Sequence, residues 1–101
     1  MSEIRRVGPP RELAQVSEDL YRFEVLLSAA PSDGWLRVFR ATAELPGCED
    51  RELSHVERDR LVFECAEEDV FAWTRCLDAR IQHTNEKHRE CLRERQPPRA
   101  A

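Results

Sequence analysis

His55, Glu64 and Glu24 form the one constellation in this sequence that could move a proton. All three fall on the polar face of predicted strands. In the expected hairpin register His55 lies opposite Glu64, with Glu24 one strand further along. Histidine changes charge near neutral pH, and beside carboxylates it can act in general acid–base work or bind a divalent cation. Ordinary cross-strand polar pairing, worth about 0.2–1 kcal/mol per pair, produces the same pattern and is the stronger reading. A second pair, His88 and Cys91, stands three residues apart on a helix, where two side chains can share one ion. A structural zinc site needs about four ligands, and no second pair accompanies this one. No metal or other cofactor is therefore expected.

Catalytic signatures are missing from the chain. Its three glycines are too scattered for a phosphate-cradling loop, and there is no GxSxG elbow and no HExxH pair. So small a fold also leaves little room for a cavity of roughly 300 Å³, the lower end for small-molecule sites. A non-catalytic interaction or accessory module is the favoured class, with a small enzyme using His55, Glu64 and Glu24 as the alternative.

The elements that position these residues follow from periodicity. From Val70 through Trp73, Leu77 and Ile81, and on through Thr84, His88, Cys91 and Leu92, less polar residues recur at steps of three and four. That spacing predicts one helix over Asp69–Arg95, about 40 Å long. Leu20–Ser28 alternates, with Tyr21, Phe23, Val25 and Leu27 on one face, and reads as a strand. Pro31-Ser32-Asp33 offers a helix start, Trp35, Leu36, Val38 and Phe39 its apolar face, and Pro46-Gly47 its end. Cys48–Glu52 reads as an acidic loop. Ser54–Arg58 and Leu61–Ala66 read as a hairpin across Asp59-Arg60, with Val56 opposite Phe63.

The order βαββα predicts an α+β domain over residues 20–95. Its three-stranded mixed sheet has strand order 1-3-2 with the outer connection right-handed, and two helices on one face. This looks like a ferredoxin-like (split βαβ) sheet lacking its fourth strand. Residues 1–19, punctuated by Gly8-Pro9-Pro10, read as a flexible arm, and 96–101, with Pro97-Pro98, as a disordered tail. The expected core is Tyr21, Phe23, Val25, Leu27, Trp35, Phe39, Val56, Leu61, Phe63, Val70, Trp73, Leu77 and Ile81.

Charge bears on partners. The net charge is −4, but residues 44–69 carry ten acids against three arginines, and 70–101 seven bases against four acids. On the expected open face of the sheet, Glu24, Glu57 and Glu64 outnumber Arg22 and would repel phosphate, while the aromatics point to the core. Nucleic-acid binding is not expected. No run of about 18 apolar residues suggests a membrane span, and the N-terminus lacks the apolar region of a signal peptide. A cytoplasmic location with free thiols at Cys48, Cys65, Cys76 and Cys91 is the expectation. The far half of the long helix outruns a sheet of roughly 20 Å, which leaves Thr84, His88, Cys91 and Leu92 to be covered. A second copy of the chain is the preferred cover, with the N-terminal arm, through Ile4, Val7, Leu13 and Val16, as the alternative.

Overall fold

The computed structural model describes residues 3–41 and 55–95. Along the chain run β1 (Arg6–Ser17), β2 (Leu20–Leu27), α1 (Asp33–Ala41), β3 (His55–Glu57), β4 (Arg60–Cys65), a 3-10 turn (Glu67–Asp69) and α2 (Val70–Arg95). The four strands make one antiparallel sheet in the order β1-β2-β4-β3.

Alternation decides which face is buried. Phe23, Val25 and Leu27 of β2 and Leu61, Phe63 and Cys65 of β4 join Trp35 and Phe39 of α1 and Trp73, Leu77 and Ile81 of α2 in one cluster. Both helices therefore cover the same side of the sheet. Aromatic rings run through the middle: Trp73 stacks on Phe63 at 5.4 Å, Phe63 on Phe23 at 5.7 Å, and Trp35 on Phe39 at 5.2 Å. Arg80 of α2 reaches across to α1. Its guanidinium lies 3.9 Å from the Phe39 ring centre and donates to the Phe39 carbonyl from Nε at 3.2 Å and Nη2 at 2.9 Å. A cation at the last turn of α1 opposes the helix dipole there. Burial lowers the pKa of this guanidinium from its ordinary value. At the other end of α1, the Ser32 hydroxyl accepts the Trp35 N–H at 3.2 Å and caps the helix.

The two halves of the chain repeat one another. At a spacing of 40, Leu13, Val16, Asp19, Phe23 and Glu24 match Leu53, Val56, Asp59, Phe63 and Glu64; at 38, Trp35, Arg37 and Ala41 match Trp73, Arg75 and Ala79. The β2–β4 register obeys the same relation. Phe23 pairs with its own counterpart Phe63, and Tyr21↔Cys65 is mirrored by Val25↔Leu61, as Arg22↔Glu64 is by Glu24↔Val62. Asp19 and Asp59 each precede the inner strand of a hairpin by one residue. The domain is thus two ββα units about a pseudo-twofold axis through the Phe23–Phe63 pair.

Four expectations are corrected. Residues Arg6–Ser17, expected within a flexible arm, form β1, which occupies the edge beside β2 that was expected to be open. The sheet has four strands and is antiparallel throughout, not a mixed sheet of three, although β2-β4-β3 keeps the 1-3-2 order. The hairpin turns at Arg58-Asp59 and pairs Val56 with Leu61 and His55 with Val62, a two-residue slip from the expected register. Arg58 takes a φ of 56° there, the left-handed backbone that a two-residue hairpin loop demands. Cys76 is disulfide-bonded, against the expectation of free thiols throughout, while Cys91 is an exposed free thiol. The expected helix end at Pro46-Gly47, the acidic loop Cys48–Glu52 and the tail 96–101 lie outside the described residues.

Candidate functional site

On the open face of the sheet, every carboxylate of the expected proton-transfer cluster is held by a cation. Arg60 Nη1 donates to Glu24 at 2.8 Å and its Nη2 to Glu57 at 2.9 Å. His55 Nε2 lies 3.2 Å from Glu57 Oε1, and Arg22 binds Glu64 through Nε at 3.0 Å and Nη2 at 2.8 Å. The register slip thus sets Val62, not Glu64, opposite His55, and Glu24 lies across Val62, one strand further along. The result is a ladder of ion pairs across β2, β4 and β3. His55, with Arg60 second, holds the Glu57 carboxyl below its usual range. Glu24 is buried, and Val62 beside it is 3% exposed.

The expected interface on α2 divides in two. Thr84 is fully buried and donates its hydroxyl to the Arg80 carbonyl at 2.7 Å, so it takes no part in any surface. His88, Cys91 and Leu92 do line grooves. A cleft of about 330 Å³ is walled by Ile4, Ala29, Ala30, Trp35 and Leu92, with Glu3, Ser32, Asn85, His88 and Arg89 supplying polar groups. A smaller hollow of about 90 Å³ lies on the other side of His88, between Gly34, Arg37 and Val38 of α1 and Cys91 and Leu92 of α2. Gly34 lets the two helices approach here, since a Cβ on it would stand a tight 3.3 Å from His88 Nε2. The cleft exceeds the room expected from the sequence. His88 and Cys91 have no further ligand: among the described residues no group of three or more His, Cys, Asp or Glu is placed to hold a metal ion.

The first part of the overhang is covered by the chain's own N-terminus. Ile4, 7% exposed, packs into the core cluster. Its N–H donates to Asn85 Oδ1 at 3.3 Å, Asn85 Nδ2 donates to the Ile4 carbonyl at 2.8 Å, and Trp35 Nε1 donates to the same Oδ1 at 2.8 Å. Glu3 forms an ion pair with Arg89. Ile4 is among the arm residues expected as the alternative cover, whereas Asn85 was missed, because an asparagine on a helix carries no periodic signal. The 40-residue repeat does carry one for β1, since Leu13, Val16 and Asp19 match a recognisable hairpin.

The outer edge of β1 is the third surface. It has no strand partner among the described residues. Gly8, with φ 78°, and the two prolines after it sit in a register shift between Val7 and Arg11, and two further shifts follow. Along this strand Val7, Leu13 and Val16 are 50%, 42% and 44% exposed. Arg11, Glu18 and Asp19 make no ion pair among the described residues. No described helix is long and apolar enough to cross a membrane. Comparison with protein-family models, curated proteins and solved structures found no match to this chain.

Proposed function

We propose that this protein is a small non-catalytic interaction module that assembles as a homodimer through the outer edge of β1. The observation that carries the reading is β1 itself, a twelve-residue strand with one edge unpaired and half-exposed apolar side chains along it. Such edges pair with another chain unless something blocks them. Here Gly8-Pro9-Pro10 closes the N-terminal part and leaves Arg11–Ser17, which carries two further register shifts, at Leu13 and Val16. Charge favours a second copy as the occupant. Two β1 strands paired antiparallel about Ala14 and Gln15 bring Arg11 of each copy toward Glu18 and Asp19 of the other, and each Leu13 toward the other Val16. Opposite charges and apolar pairs across strands each favour such pairing.

The same strand supports the ferredoxin-like reading of the architecture. β1 takes the place beside β2 where a fourth strand completes that sheet, but it arrives from the N-terminus rather than after α2. The catalytic alternative is weakened, because the register slip sets Val62 rather than Glu64 opposite His55 and Arg22 holds Glu64. Light scattering after size exclusion tests the proposal. Wild type runs as a dimer of the 11.8 kDa chain across micromolar concentrations, and Leu13→Lys, which sets a charge on the shared edge, runs as a monomer. A monomeric wild type, or a dimer indifferent to Leu13→Lys, contradicts it.

A further inference from the structure

We propose that the groove between α2 and the β2–α1 connection is a peptide-binding site. Its ligand is an extended segment of a partner protein carrying an aliphatic residue, an acid and a second aliphatic residue in succession. The chain's own Glu3-Ile4 shows how such a segment is held. Asn85 presents its amide oxygen to the Ile4 N–H and its amide nitrogen to the Ile4 carbonyl, so one side chain satisfies both main-chain groups of one residue. The Trp35 N–H on the same oxygen fixes which end of the amide is which. From the other side, the Ser28 N–H donates to the Arg5 carbonyl at 2.7 Å, and the Arg5 N–H to the Ser28 hydroxyl at 2.9 Å. Main-chain bonds on both flanks grip any extended segment, and identity is then read by pockets for its side chains.

Two such pockets hold the arm's own side chains. The Ile4 side chain is buried in the core cluster, and Arg89 receives the Glu3 carboxylate. A third position remains. Side chains alternate along an extended segment, so the residue before the acid falls on the same side as Ile4. There the cleft of about 330 Å³ is walled by Ala29, Ala30, Trp35 and Leu92, with His88 at its edge. An aliphatic side chain fits this wall, whereas the chain itself has Ser2 before its acid. Glu3 and Ile4 of the chain itself supply two of these contacts. Its Glu3–Arg89 pair is half exposed on both sides, which makes it a weak tether. A segment offering all three contacts displaces the arm.

The test uses the full chain and a fluorescein-labelled peptide that copies residues 2–7 with leucine in place of the first serine. A Glu3→Arg, Ile4→Asp double variant, checked for native circular dichroism, has its arm unseated. It binds the peptide with a Kd tighter than about 100 μM by anisotropy. Wild type binds about tenfold more weakly, because only the fraction with a displaced arm is competent. Asn85→Ala in the unseated background weakens binding by about tenfold or more. Arg89→Glu transfers the preference to a peptide with lysine in place of glutamate, which keeps the test decisive if Asn85→Ala fails to fold. No binding by the folded unseated variant at millimolar peptide overturns the proposal. So does binding that ignores Arg89→Glu, or equal binding by wild type, which removes the arm as the competitor.

Discussion

Replacing Phe63 by alanine removes the ring on which the two halves of the domain meet. Phe63 is wholly buried, between Phe23 at 5.7 Å and Trp73 at 5.4 Å between ring centres. Buried phenylalanine truncations cost about 3–5 kcal/mol through lost transfer energy and an unfilled cavity. With rings stacked on both faces, neither neighbour can collapse into the gap without leaving its other contacts, so the cost lies near 4 kcal/mol. A domain of this size has about 5–15 kcal/mol in total, and each kcal/mol shifts the melting temperature by about 4–8 °C. The Phe63→Ala midpoint therefore falls by about 16 °C or more, with a parallel loss in urea read by circular dichroism. Phe23→Ala costs about 3 kcal/mol, since Phe23 is 6% exposed and its second ring neighbour, Tyr21, is tilted at 6.4 Å. The double variant loses less than the sum by about 1 kcal/mol, because both single changes break the same contact. A Phe63→Ala cost under about 1 kcal/mol, or strict additivity with Phe23→Ala, refutes the placement of this pair at the junction.

Two further outcomes follow from local geometry. Arg58 holds a positive φ of 56°, a region glycine enters without penalty, so Arg58→Gly raises the urea midpoint by an amount equal to about 0.5–1 kcal/mol; a destabilised variant contradicts the turn at Arg58-Asp59. Glu57 has its pKa lowered from 4.5, by His55 first and Arg60 second, so its contribution to stability is present above the unfolded value and is lost as pH falls through the lowered one. His55→Ala moves the Glu57 titration, followed by carbonyl NMR, back up toward 4.5, and an unmoved titration breaks that link in the ladder.

The faces of the elements were legible in the sequence, and their pairing was not. Alternation along Leu20–Leu27 and the three-four spacing from Trp73 to Ile81 assign the core side, and the expected core residues all lie in or against the observed cluster. Alternation is blind to a slip of two, since both registers keep every side chain on its own face. The choice between an Asp59-Arg60 and an Arg58-Asp59 turn rested on turn chemistry that neither pair shows strongly, and with it went the juxtaposition of His55 and Glu64. β1 was obscured by Gly8-Pro9-Pro10, a breaker in a central strand but tolerated on an edge. The groove was legible only in part: the arm through Ile4 was one of two expected covers, but its partner Asn85 lies 81 residues away in sequence. What sequence alone did point to is the free end of α2, where His88, Cys91 and Leu92 line the hollows on either side.

Charge exchange across the outer edge of β1 shows whether that strand joins two copies of this chain. Arg11→Glu places like charge against Glu18 and Asp19 of a second copy, and a Glu18→Arg, Asp19→Arg variant does the same against Arg11. Each variant alone runs near 11.8 kDa by light scattering, and an equimolar mixture of the two restores a species of twice that mass, a heterodimer by native mass spectrometry. Two variants that stay monomeric when mixed, or that each remain dimeric alone, contradict pairing through β1.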